Sequence, residues 1–147
     1  IREPLAPSSG SPTNMSSNVR VHGEPGTLYA RCGGAFGVAA FVDNIMDRWM
    51  EDPVLNANTA VATWHQRLQR CGFKFLVTQY LCDRIGGPHR YTGRPIDVAH
   101  KHLNISEDEW GTFMEIFNEV CGEFGLAADV VDDLNALMIS MEMDCVV

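Results

Sequence analysis

The chain has 147 residues, 46% of them apolar and 20% charged, with a formal net charge of −8. That length suits one domain around one core, and the acidic balance argues against nucleic acid, whose phosphates need a basic face. No apolar run approaches the roughly 20 residues that span a bilayer, and no basic amphipathic stretch suits a membrane surface.

Residues 1–26, "IREPLAPSSGSPTNMSSNVRVHGEPG", are dominated by proline, serine, glycine and asparagine and carry no helical period. They are expected to form an N-terminal tail outside the core, of a kind that docking on a partner protein orders. The first residue is Ile1, not methionine, which fits either removal of a leader or a partial chain.

From Thr27 the pattern becomes helical, and residues 27–147 read as the folded domain. Thr27 can cap a short helix ending at Gly33-Gly34. Gly37 to Glu51 is amphipathic: Val38, Phe41, Val42, Ile45, Met46, Trp49 and Met50 share one face, and Pro53 marks the end. "NANTAVATWHQR" reads as a connector that can hold a short helical turn. A second stripe, Phe73, Leu76, Val77, Tyr80 and Leu81, stops at Gly86-Gly87-Pro88. Ser106 to Glu109, "SEDE", has the spacing of a capping box and opens a helix faced by Trp110, Phe113, Met114, Phe117, Val120, Cys121 and Phe124. The last helix carries Val130, Val131, Leu134, Leu137, Met138 and Met141, and the methionine-rich run "MISMEMDC" is expected to be core that frays at its end. No alternating pattern of useful length appears, so the fold class is all-α, with four long helices and several short ones.

The five cysteines, at positions 32, 71, 82, 121 and 145, form no CxxC pair. They predict free thiols acting as small apolar residues in a reducing compartment. Cytoplasm, or an organelle such as a mitochondrion or plastid, fits that expectation.

Two histidines, His100 and His102, lie in "GGPHRYTGRPIDVAHKHLNI". Ile96, Ala99, His100 and Leu103 recur at helical spacing, so His100 lies on the apolar face of a short segment opened by Arg94-Pro95. His102 is about 200° further around and points away. An inward imidazole is held neutral by desolvation, the state an axial haem ligand needs. Spacing alone leaves open a plain core histidine bonded to a carbonyl.

"LYARCGGAFGVAAFVDNIMDRWMEDPVLNAN", "GFKFLV" and "GGPHRYTGRPIDVAHKHLNISEDEW" together resemble a group I truncated haemoglobin over nearly all of residues 27–147. The Gly33-Gly34 pair and the "GGP…YTGR…H" stretch are the specific parts. The resemblance implies a shortened globin fold, two helices packed over two, around haem b. It makes His100 the iron ligand on the proximal side. On the distal side it places Phe73, Val77 and Met46 over the iron and Leu76, Tyr80 and Leu81 along the haem edge. Tyr91, Ile96 and Trp110 complete the candidate pocket, with Phe113 below the haem. Lys74 and Arg94 are candidates to pair with propionates, and His65 to bond a propionate or approach the iron as a sixth ligand. Many relatives carry a tyrosine where this chain has Met46, often assisted by a glutamine on the distal helix. The loop from Asn56 to Gln66 does not align cleanly with better-known members, and a slip in register there would instead bring Gln69 or Cys71 toward the iron.

The implied function is reversible binding of a small gas, dioxygen or nitric oxide. Nitric oxide dioxygenation would need a reductase on a separate chain, because no flavin or nicotinamide module is readable here. A second reading makes the chain a globin-like accessory or structural subunit of a larger, organellar assembly, with or without haem. The polar tail and the missing distal tyrosine favour it.

Overall fold

A computed structural model describes residues 21–67 and 70–147. The described chain runs through α1 (Leu28–Arg31), α2 (Gly34–Glu51), α3 (Pro53–Ala57), α4 (Thr59–Arg67), α5 (Arg70–Arg84) and α6 (Ile96–His100). A 3-10 turn (Lys101–Leu103) continues α6 before α7 (Glu107–Glu123) and α8 (Ala128–Cys145). Among the described residues there is no strand, only one isolated parallel bridge between Ile105 and Val146. The expected docking tail lies mostly in residues 1–20, outside the described residues.

The two-over-two arrangement follows from the stripes. On α2, Val38, Phe41, Val42, Ile45, Met46 and Met50 are buried, and that face packs on α5 and α7. On α7, Phe117, Val120 and Cys121 are buried, and on α8, Val130, Leu134 and Met138. These side chains form one core cluster, joined from α5 and its end by Leu81, Cys82 and Ile85. Ile45 and Phe117 are 0% and 1% exposed, so truncating either to alanine costs about 2–5 kcal/mol. Cys82, Cys121 and Cys145 are buried, and burial pushes each thiol up to about 11. All five cysteines are free, as their scattered spacing predicts.

The caps read from sequence are present. Thr27 Oγ1 accepts from the Ala30 amide. Ser106 and Glu109 form the reciprocal capping box of α7, and Gly125, at φ 62°, follows the end of that helix. Three expectations need correction. The helix expected from Gly37 begins at Gly34. The expected connector over 56–67 is mostly a helix, α4, and a second short helix, α3, precedes it. Asp52 accepts from the amides of Val54 and Leu55 and is followed by Pro53 at the first helical position, so α3 starts at once. Asn58 then accepts from the amides of Ala60 and Val61 and starts α4. Last, the methionine-rich end of α8 is not frayed. Lys101 Nζ donates to the carbonyls of Met143 and Val146, the Val147 amide donates to the Ile105 carbonyl, and Cys145 is 1% exposed.

Gly34 shows why a glycine pair stands at the start of α2. Its φ is 66°, and a Cβ there would lie 2.0 Å from the Val21 carbonyl oxygen. The chain segment entering the domain therefore crosses directly over the start of α2. The Tyr29 hydroxyl donates to that same carbonyl at 3.1 Å, and the His22 and Phe36 rings lie 6.4 Å apart. The last residues of the expected tail are thus packed on the domain.

Candidate functional site

The segment between α5 and α6 is positioned by polar contacts along α5. The Gln79 side-chain carbonyl accepts from the amide and hydroxyl of Thr92, and Asp83 accepts from the Tyr91 amide. The Tyr91 ring meets Tyr80 edge-on at 5.1 Å. Gly93 leaves room for that ring: a Cβ would lie 2.2 Å from the Tyr91 hydroxyl. Pro95 ends this extended run and caps α6. The loop thus crosses from one half of the molecule to the other. α5 packs on α2, α6 packs on α8, and α5 and α6 make no comparable packing with each other.

On α6, His100 Nδ1 lies 2.8 Å from the Ile96 carbonyl oxygen. A carbonyl can only accept, so Nδ1 carries the proton and Nε2 presents its lone pair. No protein atom among the described residues bonds Nε2. Burial holds the ring below the ordinary imidazole pKa; the Ile96 carbonyl opposes that shift and His102 adds to it. The imidazole is therefore neutral at pH 7, with one nitrogen fixed and the other available. Ile96, Ala99, His100 and Leu103 are half-buried while Asp97, Val98, Lys101 and His102 are exposed, the division that the helical spacing predicts. The carbonyl bond occupies only one of the two ring nitrogens, so it does not by itself exhaust what the imidazole can bind.

Of the distal set, Met46 and Leu81 are 6% and 8% exposed within the core cluster. Phe73, Leu76, Val77 and Tyr80 are half-buried along α5, and Tyr91 and Ile96 are half-buried beyond it. Phe113 lies between two indoles, 4.0 Å from Trp49 and 4.9 Å from Trp110, with interplanar angles of 18° and 20°. The Trp49 indole also donates to the Phe113 carbonyl at 3.3 Å. Lys74 pairs with Asp43 and Asp47 of α2 at 2.7 and 2.9 Å, whereas Arg94 is exposed at the start of α6. Gln69, one of the residues a slipped register would bring in, lies outside the described residues, and Cys71 is exposed.

His65 is half-buried, with Nδ1 2.7 Å from the Asn56 side-chain oxygen. Asn56 Nδ2 donates to the carbonyls of Trp49, Met50 and Asp52, which fixes the amide orientation and so makes His65 Nδ1 the donor. Asn56 was not singled out from sequence, and neither were Asn58 and Trp64. Asn58 donates to the Leu103 carbonyl at 3.0 Å, and Trp64 touches both Phe73 and His102. The signal available for Asn58 was the N-cap spacing "NT" before a run of helix formers. Nothing local announces Trp64.

The chemistry of the donor set suits a haem: one neutral imidazole with a free Nε2 on α6, and half-buried apolar and aromatic side chains along α5 and the loop that follows it. No group of three or more potential metal ligands occurs among the described residues, and a haem iron needs only one from the proximal side. No helix among the described residues is long and apolar enough to cross a membrane.

The known proteins that this chain resembles are globins. The model of the family described as "Bacterial-like globin" matches residues 27–146. The group 1 truncated hemoglobin GlbN of Mycolicibacterium paratuberculosis is 25% identical over 111 residues, which are 76% of this chain and 77% of that one. The Fe(III) form of a truncated hemoglobin from Tetrahymena pyriformis superposes with a TM-score of 0.68 at 20% identity, covering 82% of this chain and 97% of its own. A glutamine-to-glutamate variant of the same Tetrahymena protein gives 0.69 with the same identity and coverage.

Proposed function

This chain belongs to the bacterial-like globin family, and we propose that it binds haem b through His100 and takes dioxygen or nitric oxide on the opposite face. When bound, haem supplies an iron with one position open to a small gas. The observation that carries the reading is His100 itself. Its Nδ1–H is committed to the Ile96 carbonyl, its ring is neutral, and its Nε2 is available on a helix that packs chiefly on α8. The carbonyl bond fixes the ring about its Cβ–Cγ axis and raises the basicity of Nε2, as second-shell acceptors do for metal-bound histidines. His102 is exposed and directed to Trp64.

Met46, Phe73 and Val77 would line the gas side. None carries a hydrogen-bond donor, so they exclude water without supplying a proton to a polarised ligand. This favours reversible binding or rapid turnover of gas over tight dioxygen storage. Arg94 is the available partner for a propionate. The free cysteines fit a reducing compartment.

Haem titration followed by the Soret band tests the proposal. The wild-type chain should take up one haem. His100→Ala should lose affinity, lose the five-coordinate ferrous spectrum and regain part of it with free imidazole. His102→Ala should keep the five-coordinate ferrous spectrum of wild type. A wild-type chain with no Soret band would remove the haem reading, and the reverse ranking of the two variants would remove the assignment of His100.

A further inference from the structure

α4 ties the two walls of the candidate site together at one end. At its start, Asn58 Nδ2 donates to the Leu103 carbonyl at 3.0 Å and to Glu109 Oε2 at 3.2 Å, which anchors it to the turn following His100. Further along, the Trp64 indole lies 5.2 Å from the His102 ring and 6.4 Å from the Phe73 ring. His102 belongs to the proximal turn and Phe73 to the distal helix. One aromatic side chain therefore touches both walls, which otherwise belong to different halves of the molecule. Trp64 is only half-buried, so one part of the ring contacts these neighbours and the rest is open.

We infer that α4 is a strap closing one end of the haem crevice, and that Trp64 is its retaining side chain, packing against the porphyrin edge. This rests on the haem reading above. Haem is held by one coordinate bond and by burial of its apolar faces and edges, so its escape requires the crevice to open. A large, stiff ring anchored to both walls opposes that opening and adds apolar contact. His102 acquires a role without ligating iron: it is the proximal partner of the indole. Asn58 keeps the strap seated.

Transfer of haem from the loaded protein to an excess of a tight haem-binding acceptor reads out retention as a rate. Trp64→Ala should release haem about ten-fold faster, equal to about 1.4 kcal/mol, and Trp64→Phe should fall between it and wild type. Asn58→Ala, which leaves the indole intact, should also speed release. A second readout separates contact from mere structural support. With 5-fluorotryptophan incorporated, the fluorine signal missing from Trp64→Phe identifies Trp64. That signal should shift or broaden when ferric haem replaces zinc protoporphyrin, because only the iron is paramagnetic. Haem release at the wild-type rate from Trp64→Phe and Asn58→Ala, or a Trp64 signal the same with both porphyrins, would overturn the strap while leaving the haem reading intact. Failure of the wild-type chain to bind haem would remove both.

Discussion

Asn56 and His65 form one fixed unit: the Asn56 side-chain oxygen accepts from His65 Nδ1 at 2.7 Å while its amide nitrogen serves three carbonyls at the end of α2. Burial, with a smaller contribution from the Arg70 charge, lowers the His65 pKa below its usual 6.5. The folded state therefore binds fewer protons than the unfolded chain as pH falls below 6.5. Stability is unaffected by this group above that value. It declines as pH drops from 6.5 towards the folded pKa. In the haem-free protein, His65→Gln keeps a donor for Asn56 but does not titrate. Its unfolding free energy, measured in urea between about pH 7.5 and 5, should fall less steeply than that of wild type. Parallel slopes would show that His65 is as easily protonated folded as unfolded.

Removing the Asn56 amide has a different signature. Asn56→Ala leaves the carbonyls of Trp49, Met50 and Asp52 short of a donor at a half-buried helix end. The expected loss is about 1–3 kcal/mol, at all pH values, and thermal unfolding by circular dichroism measures it. A change below a few tenths would mean that water replaces the amide at no cost.

Gly34→Ala should destabilise more than Gly86→Ala. Both glycines have positive φ, 66° and 90°, but only at Gly34 would the new Cβ meet backbone, 2.0 Å from the Val21 carbonyl oxygen; nothing lies within 4 Å at Gly86. Gly86→Ala carries backbone strain of about 1 kcal/mol. Gly34→Ala adds displacement of residues 21–26 and with it the Tyr29–Val21 bond. Equal losses in melting temperature for the two variants would show that the entering segment does not bear on Gly34.

The long helices and the face of His100 were legible because each rests on a short, regular signal: a stripe at helical spacing, or a cap three residues from its partner. Met46 and Ile45 are buried where the α2 stripe puts them. α3 and α4 leave little trace in the sequence because they are brief and start from single side chains, Asp52 and Asn58, without a strong apolar period behind them. What Trp64, Asn56 and Asn58 touch was beyond reach for another reason. Their partners lie on other elements, as with Asn58 and Leu103, 45 residues apart, and pairing over such a span is settled by tertiary packing.

Lys74 and Arg94 are the two cations that the globin resemblance offers to a propionate, and the structure distinguishes them. Lys74 is held by Asp43 and Asp47, and those bonds raise its pKa. Withdrawing it toward a propionate would forfeit two ion pairs. Arg94 is exposed at the start of α6. Lys74→Met should therefore leave haem release unchanged, while Arg94→Met speeds it a few-fold, as expected for one exposed charge pair. The opposite order in a haem-transfer assay would assign the propionate to Lys74.

The gas side offers the sharpest functional test. Met46 lies on the buried face of α2, one residue after Ile45 and one turn before Met50, and its thioether donates nothing. Bound dioxygen carries partial negative charge and gains about 1–3 kcal/mol from a donor, whereas carbon monoxide is nearly indifferent to one. Met46→Tyr should therefore slow dioxygen release by about ten-fold or more and change carbon monoxide release little. Tyrosine is larger than methionine and the site is 6% exposed, so overpacking could alter both gases through the shape of the pocket. Met46→Phe supplies the same ring without the hydroxyl and isolates the donor. Slower dioxygen release in Met46→Tyr relative to Met46→Phe, with matched carbon monoxide rates, is the expected result. Identical dioxygen rates in the two variants would mean that residue 46 does not face the gas, or that another donor already reaches it.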